Sequence, residues 1–280
     1  MRLRGTRRSS NIEDRRRSGG RGGAIGGLGI GGVLFVLAIG YFTGIDVTPI
    51  LNGAPQGQSG QTRELSAQEQ QAGDFVASVL GTTEDVWAQV FPEQVGRQYS
   101  APTMVLFSNQ TASPCGGASG ATGPFYCPAD EKAYLDTAFF TTLAQRLGAK
   151  GDFAAAYVIA HEVAHHVQNE LGILGKVNQL RQQSSQTDAN ALTVRLELQA
   201  DCLSGVWATY VDGLLEPGDI QEALNAARQI GDDTLQRNAG RVPQPHTFTH
   251  GTSEQRARWF ATGYEAGEIG ACDTFNARSL

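Results

Sequence analysis

The sequence predicts an α+β fold that is mostly helical, with a small sheet ahead of its main helices and one transmembrane helix in front of both. Three observations predict it. An uncharged apolar stretch lies near the N-terminus, short β-branched and aromatic runs cluster between residues 103 and 135, and apolar residues recur at helical spacing through most of the remainder. With 280 residues, 40% hydrophobic and 18% charged, the chain can bury a full core and is no disordered polyelectrolyte.

The elements follow in order. Residues 1–23 form a basic tail: eight arginines against Glu13 and Asp14 give +6, which leaves −12 on the rest of a chain whose total is −6. A basic tail on an acidic body points to membrane topology rather than to nucleic acid. Ala24 to Phe42 holds 13 apolar residues, six glycines and no charge. As a helix it would span about 28 Å, close to a hydrocarbon core, and residues 24–45 are read as the anchor. TGIDVTPI follows in place of a small-residue cleavage site, so the anchor stays uncleaved. The positive-inside rule puts residues 1–23 in the cytoplasm and the body across the membrane. The run GGLGIGG leaves self-association through the anchor open. Residues 46–62 read as a flexible linker, since Asn52–Thr62 is polar and rich in Gly, Gln and Ser, and residues 63–280 as the body.

Within the body, Ser66 with Glu69 three residues on makes a capping box and starts a helix. A second short helix is expected over Glu84–Phe91, stopping at Pro92. Strands are expected at Thr103–Phe107, Pro124–Cys127 and Lys132–Leu135, the last as an exposed edge able to pair with an extended peptide. Helices are then expected at about 137–147, 152–171, 173–183, 189–212, 218–231 and 253–265.

The four cysteines lack CxxC spacing, which excludes a zinc knuckle or a thioredoxin motif. Placed outside the cytoplasm, they can form disulfides. Cys115 and Cys127 bracket a Gly-rich loop and are natural partners, which leaves Cys202 to pair with Cys272.

The chemistry centres on AYVIAHEVAHHVQNELG, which contains His161-Glu162-x-x-His165. On a helix, positions i and i+4 share a face, so both imidazoles reach one metal ion. Glu162 sits about 100° round the helix, beside the ion, where a base can take a proton from water. A catalytic zinc site needs a third protein ligand. In RLELQADC, Glu197 and Asp201 again stand i and i+4: Glu197 is read as the ligand, and Asp201 as the acceptor that fixes a ligand imidazole's tautomer. The competing reading pairs Glu197 with Arg195 or Arg181. His166 is read as lying behind the ligands or on the surface. Two imidazoles and one carboxylate suit Zn2+ best among divalent metals.

These residues carry a resemblance. The tail MRLRGTRRSSNIEDRR, the anchor, GPFYCPADEKAYLD, the His161 helix, RLELQADC and FTHGTSEQRARWF together resemble the bacterial family of membrane-anchored neutral zinc metallopeptidases, over nearly the full length. The family's HExxH matches His161, Glu162 and His165, and its downstream ExxAD matches Glu197, Ala200 and Asp201. Ala164 stands where many relatives would have Gly. The resemblance implies a zincin-like metallopeptidase domain in the bacterial cytoplasmic membrane, single-pass, with its body outside the cytoplasm.

A hydrolase acting on a peptide or protein substrate is the expectation, with Glu162 as base. His250 is the expected donor to the developing oxyanion, chosen over His246, Tyr210 and Arg256 because it precedes Gly251 and a capped helix. Two other classes stay open: a membrane-anchored binding or assembly protein with a non-catalytic zinc site, and a zinc amidase acting on cell-wall peptides.

Overall fold

The computed structural model describes residues 1–17, 63–119 and 123–280. The expected anchor (24–45), the linker (46–62) and the end of the basic tail lie outside the described residues. Among the described residues no helix is long and apolar enough to cross a membrane.

The elements run β1 (Ile12–Asp14), α1 (Ala67–Val90), β2 (Thr103–Phe107), β3 (Gln110–Ser113), β4 (Gly116–Ser119), β5 (Phe125–Cys127), β6 (Lys132–Asp136), α2 (Phe139–Gln145), α3 (Asp152–Glu170), α4 (Ile173–Gln182), α5 (Gln186–Tyr210), α6 (Asp219–Gln229), α7 (Asp232–Asn238) and α8 (Ser253–Ala266). The described chain is thus mostly helical with small sheets, as expected.

One sheet has the order β1-β2-β6-β5, with β1, β2 and β6 parallel and β5 antiparallel to β6. β3 and β4 form a separate antiparallel hairpin. The strand pattern has a period of two. Met104, Leu106, Ala133 and Leu135 join the main helical core, while Val105, Phe107, Tyr134 and Cys127 pack in a second cluster. The expected edge strand Lys132–Leu135 is therefore an interior strand, paired on both sides. β5 is the edge instead. Which strand ends a sheet depends on pairing between distant segments, which local pattern does not contain.

The Ser66 capping box is present, with Ser66 accepting from the Glu69 amide and Glu69 from the Ser66 amide. The helix it opens runs through Gly81-Thr82-Thr83 to Val90, so the two expected helices are one. Pro92 does not stop it. The turn Phe91–Val95 opens to a π geometry, with the Gly96 amide reaching the Phe91 carbonyl, and ends at left-handed Gly96. The helix expected at 218–231 is α6, and α7, which begins after Gly231, was not expected. Residues 1–17, expected as a separate tail, pack on the body and add β1 to its sheet.

The buried helix α3 lies among α1, α5 and α6. α5 and α8 cross with their backbones in contact. A Cβ on Gly205 would lie 2.1 Å from the Phe260 carbonyl oxygen, and one on Gly263 would lie 1.8 Å from that of Cys202. The Cys202–Cys272 disulfide closes the end of this crossing, and Cys115–Cys127 ties the β3–β4 hairpin to β5. Both pairs are those the sequence indicated.

Candidate metal centre

α3 presents His161 and His165 one turn apart, with ring centroids 4.8 Å apart and planes at 88°. α5 brings Glu197 against both. Its Oε2 lies 3.1 Å from His161 Nε2 and 3.6 Å from His165 Nε2. One donor atom from each of the three residues falls within 4.8 Å of the others. Two imidazole nitrogens and a carboxylate oxygen on one side of a cleft are a donor set that fits Zn2+ with a position left open. Neither Arg195 nor Arg181 competes for Glu197: Arg195 bonds carbonyls of the C-terminal segment, and Arg181 bonds Asn178.

Asp201 stands behind His161, with Oδ1 2.9 Å from Nδ1. The carboxylate is fully buried, and every partner it has is polar. The Arg256 guanidinium on α8 donates to both oxygens, at 2.8 and 2.9 Å, and the Tyr157 hydroxyl donates to Oδ1. Burial alone would raise its pKa, but Arg256 and His161 outweigh burial and hold it at about 2. In the protein alone, burial opposes the charged form of His161, yet Asp201 and Glu197 push its pKa up to about 10. The same surplus of negative charge favours a divalent cation.

Glu162 is buried, and its Oε2 has no hydrogen-bond partner. Burial raises its pKa above the usual carboxylate range, against the pull of His165 and His161. A carboxylate with a free oxygen and a raised pKa beside the donor set is suited to accept a proton.

His250 lines the same cleft as His161, Glu162, His165 and Glu197. Its ring is set by the Thr249 hydroxyl, 3.0 Å from Nδ1, and by Asp232 at the start of α7. Asp232 Oδ2 accepts the amides of Thr249, His250 and Gly251, and Oδ1 lies 3.4 Å from His250 Nδ1. Burial works against protonation of His250, but Glu197 and Asp232 raise its pKa. Gly251 at φ 91° permits the turn. The other expected donors fall away. His246 and Tyr210 are not on the cleft wall, and Arg256, which is, is committed to Asp201 and Tyr157.

His166 faces away from the cleft, and it is neither on the surface nor behind the ligands. It is buried, with Nδ1 3.0 Å from the Tyr126 hydroxyl and Nε2 2.6 Å from the Ser100 carbonyl. It fastens α3 to the edge strand β5.

Three residues escaped sequence reasoning. Tyr157 and Asp232 hold Asp201 and His250 as described. Gln168, one turn after His165, is fully buried. Its Oε1 lies 2.9 Å from His165 Nδ1, and its amide donates to the Leu196 carbonyl and to Gln199 Oε1. One side chain thus orients His165 and fixes the backbone that precedes Glu197. The i, i+3 spacing from His165 was its only signal. A second carboxylate group, Asp152, Asp219 and Glu222, is already answered by the Met1 ammonium and the Phe153 amide.

The cleft encloses about 550 Å³. Phe125, Phe139, Val158, Leu174, Leu196 and Ile230 give it apolar walls, and Tyr126 of β5 borders it.

Fold and site together define a mostly helical domain in which two histidines and a glutamate converge as candidate metal donors, with a second, buried glutamate beside them. The chain belongs to the family described as putative neutral zinc metallopeptidase, whose profile matches residues 1–275. It is 48% identical to the protein YpfJ of Escherichia coli strain K12, over 98% of this chain and 99% of that one. It is 44% identical to Rv2575 of Mycobacterium tuberculosis strain H37Rv, over 73% of this chain and 71% of that one. Both relatives are described only as uncharacterized proteins. No solved structure matches the chain.

Replacing Gln168 by Met removes the partner of His165 Nδ1 while keeping the volume. Zinc affinity, measured by chelator competition, is expected to fall about 10- to 100-fold, the usual cost of losing a group that orients a ligand. Unchanged affinity would show that helix geometry alone orients His165.

Proposed function

We propose that the protein is a membrane-associated zinc metallopeptidase of zincin-like fold that hydrolyses peptide bonds in the cleft between α3 and β5. The observation that carries this reading is Glu162: a buried carboxylate with an unpartnered oxygen beside three converging donors. A purely structural zinc site needs no such base.

His161, His165 and Glu197 would hold the ion. When bound, zinc supplies Lewis acidity and a water whose pKa is lowered to about 7. The chain's own residues do the rest. Asp201, held by Arg256 and Tyr157, keeps His161 with its Nε2 toward the ion. Gln168 does the same for His165. Glu162 takes the proton of the attacking water and passes it to the leaving amine. His250, charged or as an N–H donor, stabilises the carbonyl oxygen as negative charge develops there. The apolar walls exclude water and bind side chains of the substrate. The free edge of β5, rather than Lys132–Leu135, offers backbone groups to an extended peptide.

The test uses the full-length protein on an unstructured protein substrate. Glu162→Gln should keep one zinc per chain and lose at least about 100-fold in kcat, the lower end of what general base catalysis contributes. Glu197→Ala should lose both zinc and hydrolysis. Wild-type cleavage by Glu162→Gln, or cleavage that survives removal of the metal by a chelator, would refute the mechanism.

His250→Ala should bind zinc normally and lose about 10²- to 10³-fold in kcat with little change in KM. Wild-type kcat in the folded, zinc-replete variant would reduce His250 to a brace for its turn.

A further inference from the structure

The charge pattern of the first 23 residues predicts a cytoplasmic tail separated from the body by a single crossing. The structure places the first 17 of them on the body. β1 lies parallel to β2, and the ladder is extended by the Met104 amide to the Asn11 carbonyl and the Arg15 amide to the Leu106 carbonyl, at 2.8 and 2.7 Å. The Ser9 amide reaches the Ala77 carbonyl of α1 at 2.9 Å. Ser9 and Asn11 both donate to Glu84, which is itself only 8% exposed.

Several of the arginines that would orient an anchor are engaged here. Arg7 pairs with Glu84 and Asp85, Arg8 with Asp74, and Arg15 with Glu13. Arg16, 5% exposed, pairs with Asp14 and donates to the Glu69 carbonyl. Exposed pairs contribute little singly, but Arg16 and Glu84 are buried by the docking itself. Arg7 and Arg8 thus meet carboxylates of the body, while Arg15 and Arg16 meet carboxylates of the arm and donate to the Ala112 and Glu69 carbonyls of the body.

The body is shaped to receive the arm. α1 carries two interior glycines, each costing about 1 kcal/mol relative to alanine in a helix. A Cβ on Gly81 would lie 2.4 Å from the Arg7 carbonyl oxygen, and one on Gly73 would lie 2.4 Å from the Arg16 guanidinium. Both glycines sit where the arm needs room. The family profile also begins at residue 1.

The arm ends beside the place where the body begins, with the Arg63 amide donating to the Arg17 carbonyl at 3.1 Å. Arg17 and Arg63, between which the chain is not described, thus lie at one point. If 24–45 crossed a bilayer once, residues 46–62, DVTPILNGAPQGQSGQT, would have to recross it. Seventeen residues with two prolines and the polar run Asn52–Thr62 cannot satisfy their backbone in hydrocarbon.

We infer that residues 1–17 and 63–280 occupy the same side of the membrane. The inference holds whether or not the cleft hydrolyses peptides. It replaces the opposite-sides arrangement that the positive-inside rule suggests, because Arg7, Arg8, Arg15 and Arg16, four of the arginines on which that rule acts, are docking residues.

The test places the same short split-reporter tag in full-length protein in bacterial cells, either at Gly5 or at Gly96. Both glycines are exposed, and a Cβ on either would meet nothing within 4 Å. The complementing fragment is expressed in the cytoplasm or exported. Both tags should complement the same fragment. Complementation of the Gly5 tag only inside and the Gly96 tag only outside would overturn the inference. Gly81→Val supplies a second readout in purified protein, because its side chain displaces the arm. Trypsin should remove the wild-type arm at least about tenfold more slowly than the variant's, since cleavage follows the population of the undocked form. Equal rates would show that the arm is not held.

Discussion

A buried carboxylate must be fully answered or it destabilises the fold, and Asp201 is the carboxylate around which this domain closes. Breaking a buried pair by removing one partner costs about 3–5 kcal/mol. Asp201 therefore requires Arg256 from α8, and with Tyr157 and His161 from α3 it requires both helices in place against α5. Gly205 and Gly263 let α5 and α8 come close enough, and the Cys202–Cys272 disulfide fastens the tail beyond them. The packing of three helices and the orientation of His161 are consequences of the same contact.

A second set of bonds runs in parallel. Gln168 links His165 to the Leu196 carbonyl and to Gln199, and Gln199 in turn donates to the Cys272 carbonyl. The C-terminal segment is thereby coupled to the second histidine as Arg256 is to the first. Glu197 lies between the two networks, one residue after a carbonyl that Gln168 holds. The three donors converge because the scaffold directs each of them.

Local signals made part of this legible in the sequence. The i, i+4 spacing placed His161 with His165 and Glu197 with Asp201, and the structure brings these four side chains together. The Ser66 box and the cysteine pairs were equally local. What escaped depended on partners far along the chain. β1 is three residues of a charged segment and gains its identity only from β2. Gly81-Thr82-Thr83 resembles a helix break until the arm fills the space above Gly81. Gln168 resembles a solvated helix residue until Leu196 is placed against it. Asp232 lay just beyond the end of an expected helix with nothing to single it out, yet it receives three consecutive amides from the His250 loop. The arginines of the arm show the same limit: their charge was plain, and their partners were not.

The most direct measurement of the central claim, that these helices assemble a four-coordinate zinc centre, is X-ray absorption at the zinc edge of the purified full-length protein. It should show about four nitrogen or oxygen neighbours near 2.0–2.1 Å, with the outer scattering of two imidazoles. Six oxygen neighbours, a sulfur shell near about 2.3 Å, or an imidazole count other than two would contradict it.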